Sequence, residues 1–250
     1  MLKVNELSIV FDGLVAVDRF SFEMKSEEIF GLIGPNGAGK TTSFNMISGT
    51  LKPSSGEICF NEKRIDGLPT YTINQLGIAR TYQNINLFKS MSVMENVMVG
   101  LHSRSSANLL AAVLRTKKQR SEERRIKEQS YEFLEMMNLS DKHDWQAFSL
   151  SYGEQRRLEI ARALASSPSL MLLDEPAAGM NPSEKDELSE IIAGIRAKGI
   201  GILIVDHDMK FIMNLVDRVC VLNYGKRIAL GLPSEVQQNP EVQEAYLGGE

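Results

Sequence analysis

Apolar residues in the first sixty positions fall in short runs separated by turn chemistry. Leu2, Val4, Leu7 and Ile9 alternate roughly with polar neighbours, which predicts a half-buried strand over Leu2–Phe11. Residues 21–24 and Ile29–Ile33 predict further strands, the second running into a glycine-rich stretch from Gly34 to Gly39. Residues 43–48 read as a helix, and Gly49, Pro53 and Gly56 mark the turn into a strand over 57–60. From about Asn84 to Arg162 the pattern becomes helical, and beyond it strands and helices alternate. Residues 170–173 are wholly apolar, as a strand buried on both faces of a parallel sheet should be. Asn181, Pro182 and Glu184 then supply a cap residue, a proline at the first helical position and an acid in the first turn. Leu188, Ile191, Ile192 and Ile195 follow at helical spacing, and Gly199 suits the stop. Residues 200–205 and 219–222 predict two more buried strands. The pattern is α/β with an inserted helical lobe: 1–83 and 163–250 form the core, and 84–162 the lobe.

Composition narrows the setting. The chain has 250 residues, 43% hydrophobic and 24% charged, the profile of a soluble globular protein. A net charge of −4 offers no general attraction to phosphate backbones, so nucleic acid is not an expected partner. Cys59 and Cys220 lie in apolar runs, with no metal-ligand spacing and no disulfide framework, which fits a reducing cytoplasm. Lys3, Asn5 and Glu6 interrupt the first apolar residues, against a secretory signal. No stretch approaches the ~18 apolar residues of a membrane span. Any service to a membrane would run through a partner. Residues 115–127 hold seven basic and two acidic residues and fit two readings: a solvated helix face, or a contact with lipid headgroups or a partner helix.

The candidate chemistry lies in two places. Gly34, Pro35, Asn36, Gly37, Ala38, Gly39, Lys40 and Thr41 match the phosphate-binding loop in full, after a predicted strand and before a predicted helix. Glycines let backbone N–H groups turn inward around phosphates, and the helix start adds positive potential. Lys40 would reach the β- and γ-phosphates of a nucleotide, Thr41 would bind Mg²⁺, and Thr42 continues the contact. Asp174 and Glu175 close the apolar run at 170–173. A carboxylate there can hold the Mg²⁺ shell, the role expected of Asp174. Glu175 could polarise an attacking water as general base. Together the two motifs describe a P-loop NTPase.

Residues 150–155, Leu-Ser-Tyr-Gly-Glu-Gln, resemble the signature motif of the ABC ATPases, with Tyr152 where the commonest form has its first glycine. A plain helix start, Ser151 followed by Glu154, is the competing explanation of that stretch alone. The resemblance covers essentially the whole chain, from Leu2 to about Gly248. It implies a P-loop core with a small antiparallel sheet near the N-terminus, and two copies sandwiching two ATP molecules head to tail. Ser151, Gly153 and Glu154 would then cap the γ-phosphate held by the opposite subunit. Gln83 would join core to lobe and touch Mg²⁺ or the attacking water, and His207 would contact the γ-phosphate. Phe11 would stack on adenine, with Phe20 and Phe22 as nearby alternatives. Residues 178–181 occupy the place of the loop that crosses the dimer interface, with Asn181 where many members have aspartate. At residues 26–28, Ser-Glu-Glu, a glycine often precedes the second acid, which bears on a turn geometry.

Within that family, Ala79-Arg80-Thr81-Tyr82-Gln83, residues 156–162, 174–179 and 207–210, and the ending 239–248 look like the ATPases of branched-chain amino acid importers. Urea or amide importers and lipopolysaccharide exporters use close relatives. The resemblance implies transmembrane permeases docked on the helical lobe, a second ATPase subunit (identical or paralogous), a place at the cytoplasmic face of the membrane, and no direct contact with the cargo. Two other classes remain as readings. A P-loop kinase or GTPase switch would lack the motif at 150–155. A chromosome-maintenance ATPase needs long heptad-rich arms, for which the span between Gln83 and Ser151 is too short.

Overall fold

The wholly apolar runs become the inner strands of a six-stranded sheet. In the computed structural model, with strands numbered along the chain, its order is Lys226–Gly231 (β10), Arg218–Asn223 (β9), Ile29–Ile33 (β3), Gly201–Val205 (β8), Leu170–Asp174 (β7) and Ile78–Arg80 (β6). Strands β9, β3, β8, β7 and β6 run parallel, and β10 returns antiparallel to β9. Every side chain of β3, β7 and β8 is buried, as strands covered on both faces require. The structure describes residues 1–102 and 117–247. They form two compact units: 1–83, 169–178 and 192–247 in one, 84–102, 117–168 and 179–191 in the other.

The first unit adds a four-stranded antiparallel sheet in the order Leu14–Met24 (β2), Leu2–Phe11 (β1), Ser55–Phe60 (β4) and Lys63–Arg64 (β5). Strand β2 begins at Leu14, well before the predicted residue 21. The β1–β2 register shifts repeatedly between Val4 and Val10, and such bulges break the period of two on which the sequence reading depends. Lys40–Ile47 (α1) likewise starts earlier than residue 43. Its N-cap is Gly39 in a left-handed conformation, so no Ser, Thr, Asp or Asn announces it. Phe20, Phe22 and Phe30 pack in series, the first pair tilted and the second stacked, with ring centroids 5.1 Å apart in each pair. They share one buried cluster with Leu2, Leu32 and Phe44, which welds both sheets to α1. At about 1.5–3 kcal/mol per buried side chain, this core fixes where the strand ends lie. Glu27 sits at φ 58°, the left-handed turn conformation that a glycine takes without strain.

The second unit contains Val93–His102 (α3), Lys117–Met136 (α4) and Tyr152–Ala165 (α5), which pack together and bury Val93, Val97, Leu134 and Leu158. Thr70–Gln75 (α2), Pro182–Ala197 (α6), Met209–Leu215 (α7), Pro233–Gln237 (α8) and Pro240–Leu247 (α9) are further helices. The sequence reading of the start of α6 matches its geometry. The Glu184 amide donates to Asn181 Oδ1 at 3.0 Å, and the Asn181 amide donates back to Glu184 Oε2 at 2.9 Å. Arg115 and Thr116 of the basic segment, and Gly248, lie outside the described residues. The rest of that segment is on α4, where Arg124 donates to Glu128 at 2.8 Å. Among the described residues, no helix is long and apolar enough to cross a membrane.

Candidate functional site

Parallel strands end on a common edge, and the residues expected to carry chemistry follow those ends. The glycine-rich loop leaves β3, Gln83 follows β6 by three residues, Asp174 ends β7, and His207 follows β8 by two. Ligands of open α/β sheets bind outside the carboxyl ends of the strands, and this is that edge. Within the loop, Gly34, Gly37 and Gly39 have φ of 152°, 79° and 99°. A Cβ on Gly34 would lie 2.1 Å from the Leu222 carbonyl oxygen, and one on Gly39 would lie 2.7 Å from that of Ala16. Glycine is required there by conformation and by space. Lys40 Nζ donates to the carbonyls of Gly34 at 2.7 Å and Pro35 at 2.9 Å, so the loop folds around its own ammonium. Burial lowers the Lys40 pKa below the usual lysine range, while the charges of Glu175 and Asp174 oppose that fall. Thr41 is exposed at the start of α1, and Thr42 behind it is half-buried.

Asp174 is buried at 3% exposure and receives Arg80 Nη2 on Oδ2 at 2.8 Å. Glu175 next to it adopts φ 46°, held by its amide donating to the Val205 carbonyl at 2.7 Å. That turn sends the two neighbouring carboxylates to different partners. Gln83 Nε2 lies 3.3 Å from Glu175 Oε2, and His207 Nδ1 lies 3.6 Å from the same oxygen. The structure therefore brings Gln83, Glu175 and His207 together. Asp206 is a further buried carboxylate, but it is spent on the amides of Ala177 and Asp208. Among the described residues, no group of three or more His, Cys, Asp or Glu could hold a metal by itself. Thr41 and Asp174 supply hard oxygens, a donor set that fits Mg²⁺, which is bound through one or two protein oxygens plus phosphates and water.

Ser151, Gly153 and Glu154 belong to the second unit, at the start of α5. The Glu154 amide donates to Ser151 Oγ at 3.3 Å, and the Ser151 amide donates to Glu154 Oε2 at 2.9 Å. The helix-start explanation of this stretch is therefore locally correct, and it leaves Ser151 exposed at a helix N-terminus, where an anion is favoured. Burial would raise the Glu154 pKa, but Lys142 and the Ser151 amide outweigh it and hold the carboxyl below its usual range. Tyr152 lies over Gly179, whose missing Cβ would meet its ring at 3.3 Å.

The sequence matches the profile of the ABC transporter family over residues 17–178. The chain belongs to the ABC transporter ATP-binding family. It is thus an ATP-binding cassette, an ATPase coupled to transport. Residues 226–250 match a second profile, described as branched-chain amino acid ATP-binding cassette transporter. The cassette is 43% identical to the high-affinity branched-chain amino acid transport ATP-binding protein LivG of Salmonella typhimurium, over 99% of this chain and 98% of that one. It is 41% identical to BraF of Pseudomonas aeruginosa, which carries the same description, with the same coverage. The lipopolysaccharide export ATP-binding protein LptB of Haemophilus influenzae is 36% identical over 99% of this chain and 97% of that one. Among solved structures, an ATP-binding cassette in its ADP conformation superposes with a TM-score of 0.86 at 30% identity, covering 100% of this chain and 99% of that one.

The cassette exposes Phe11 at 42%, at the end of β1, whereas Phe20 and Phe22 are buried in the core. Of the three aromatics, Phe11 alone can offer a ring to a ligand. Two residues near the phosphate loop were not singled out from the sequence. Arg80 reaches Asp174, as above. Tyr246 of α9 lies beside the loop in a cleft of about 620 Å³ that it shares with Pro35, Asn36 and Glu244. Burial pushes the Tyr246 hydroxyl up to about 12, with a hydrogen bond to the Gly34 backbone pulling the other way. Both lie in stretches that resemble the branched-chain importer ATPases, but each owes its place here to a contact far along the chain.

Proposed function

We propose that this cassette powers the import of branched-chain amino acids, working as a pair of ATPase subunits on the cytoplasmic face of a membrane. The observation that carries the reading is 43% identity to LivG along nearly the full length of both chains. Phosphates of ATP lie in the Gly34–Thr42 loop against Lys40 and the start of α1, and Phe11 stacks on adenine. Thr41 and Asp174 would hold Mg²⁺ with Gln83 nearby, and the ion would supply neutralising charge at the phosphates. Glu175 takes a proton from the attacking water, and His207 faces the γ-phosphate. Ser151, Gly153 and Glu154 of the other copy complete each site. The closed pair is favoured by contacts that exist only with ATP present, and hydrolysis removes them.

Permeases dock on the helical unit. Phe88, Met91, Trp145 and Phe148 support this, being 46%, 37%, 49% and 60% exposed on two backbone segments that hydrogen-bond side by side. Apolar groups gathered this way mark interaction surfaces. Deleting the gene is expected to abolish high-affinity uptake of radiolabelled leucine, isoleucine and valine while urea uptake and lipopolysaccharide display stay normal. Normal leucine uptake in a strain with no second copy would sink the substrate assignment. Loss of lipopolysaccharide display would instead move the cassette to the LptB side of the family.

Lys40 gives a pH dependence. The phosphates favour its charged form, whereas burial in the free protein favours the neutral one. ATP binding is therefore expected to take up protons in the alkaline range below pH 10.5, and affinity falls as the pH climbs through the lowered value. Calorimetry in two buffers of different ionisation enthalpy measures that uptake. It should vanish in Lys40→Ala, which also binds nucleotide weakly; equal uptake in both proteins would remove Lys40 from this role.

A further inference from the structure

Arg80 ends β6, and its guanidinium is almost wholly enclosed, with the side chain 6% exposed against 4% for that of Asp174. Its two terminal nitrogens divide between two elements, while the buried Nε makes no hydrogen bond. Nη2 donates to Asp174 Oδ2 at 2.8 Å at the end of β7. Nη1 donates to Asn45 Oδ1 at 2.8 Å and to Ser48 Oγ at 2.7 Å. The rings of Phe44 and Tyr82 lie 5.7 and 4.9 Å from the guanidinium carbon and restrict its movement. Asn45 follows Thr41 by four residues, so the two share one face of α1, and Ser48 is the C-cap of that helix. The guanidinium therefore spans the distance from the strand-end carboxylate to the helix face that carries Thr41.

A buried arginine–carboxylate pair is a poor device for stability alone, because apolar residues of similar volume would hold the fold as well. Its planar fork does something they cannot: it holds several acceptors at fixed angles. With Oδ2 held by Arg80, the Asp174 carboxyl is restrained in its rotation. We propose that Arg80 is a positioning residue that sets Asp174 and Thr41 at the spacing a nucleotide-bound Mg²⁺ requires, without itself touching nucleotide or metal. The inference rests on the assignment of Thr41 and Asp174 to Mg²⁺ given above. Mg²⁺ demands near-octahedral geometry, so a loosened Asp174 weakens its hold. Removing a neighbouring cation has the opposite electrostatic effect and would tighten it. The two roles of Arg80, geometric and charge-balancing, thus predict changes of opposite sign.

The experiment titrates Mn²⁺, as a spectroscopic stand-in for Mg²⁺, into the full-length protein saturated with a non-hydrolysable ATP analogue, and reads free Mn²⁺ by electron paramagnetic resonance. Arg80→Lys and Arg80→Met are expected to weaken Mn²⁺ binding by roughly tenfold or more, the usual scale for a residue behind a metal ligand. Analogue binding in EDTA should be unchanged. Arg80→Lys keeps the charge, so it carries the test if Arg80→Met does not fold. Asp174→Asn is the control and should lose Mn²⁺ binding. If both Arg80 variants bind Mn²⁺ as tightly as the parent or tighter while Asp174→Asn fails, the positioning role is wrong and the site assignment stands. If Asp174→Asn binds Mn²⁺ normally, the site assignment falls, and the positioning role with it.

Discussion

Glu175→Gln is expected to bind ATP normally and hydrolyse it about 10²–10⁴ times more slowly, the usual contribution of a general base. The amide keeps the shape of the side chain, and its oxygen can still meet Gln83 Nε2, which lies 3.3 Å from Glu175 Oε2. What it loses is the ability to accept a proton from water. ATP retained in this variant should hold two copies together, visible as an ATP- and Mg²⁺-dependent shift in size-exclusion chromatography. A fluorescence readout is built into the second unit. Lys142 lies 5.1 Å from the ring of Trp145 and pairs with Glu154, which in turn holds the Ser151 amide. Closure over Ser151 should therefore change the emission of Trp145, the single tryptophan, in a way that depends on protein concentration. Ser151→Arg should abolish that change. Hydrolysis at the parent rate would dismiss Glu175 as the base, and a signal independent of concentration would dismiss closure as its origin.

The parts of this site that the sequence displays are those whose chemistry is local. Gly34, Gly37 and Gly39 announce left-handed backbone, Asp174 and Glu175 close an apolar run, and Ser151 with Glu154 spell a helix cap. Each can be read within a few residues because its physical cause acts within a few residues. Strand β3, with five buried positions in succession, was legible for the same reason. Elsewhere, tertiary context overrides the pattern. The early half of β2 hides behind register shifts with β1 that erase alternation, and α1 lacks a polar cap because Gly39 turns the chain into it. Arg80 is one arginine among many until folding puts it 2.8 Å from a carboxylate 94 residues away. The exposure of Phe11 is decided by the β1–β2 hairpin, not by neighbours that mark it off from Phe20 or Phe22. Gln83 and His207 are legible as family positions, but their convergence on one oxygen of Glu175 is a property of the sheet edge.

Arg156→Met should destabilise the protein by about 3–5 kcal/mol at neutral pH, the cost of leaving one member of a buried ion pair without its counter-charge. Arg156 Nη1 and Glu159 Oε2 are 2.8 Å apart, one turn along α5, with side chains 0% and 2% exposed. Glu159 also accepts the Asn86 amide at 3.3 Å, and Arg156 Nη2 donates to Tyr152 Oη at 3.3 Å. Burial pushes the Glu159 carboxyl above its ordinary value even with Arg156 beside it. A carboxyl raised on folding takes up a proton, so its contribution is fully present below the unfolded value of 4.5 and is lost as the pH rises through the folded one. A charged Glu159 depends on Arg156; a protonated one does not. The deficit of Arg156→Met measured by urea unfolding should therefore shrink as the solution is acidified. Arg156→Met with Glu159→Leu should recover much of the loss, since an apolar pair of similar volume needs no counter-charge. A double variant as unstable as the single one would show that packing, not the stranded carboxylate, sets the cost. A stable double variant that hydrolyses ATP slowly would show the reason for keeping an ion pair here: it ties Tyr152, in the signature stretch, to Asn86, just beyond Gln83 in the chain.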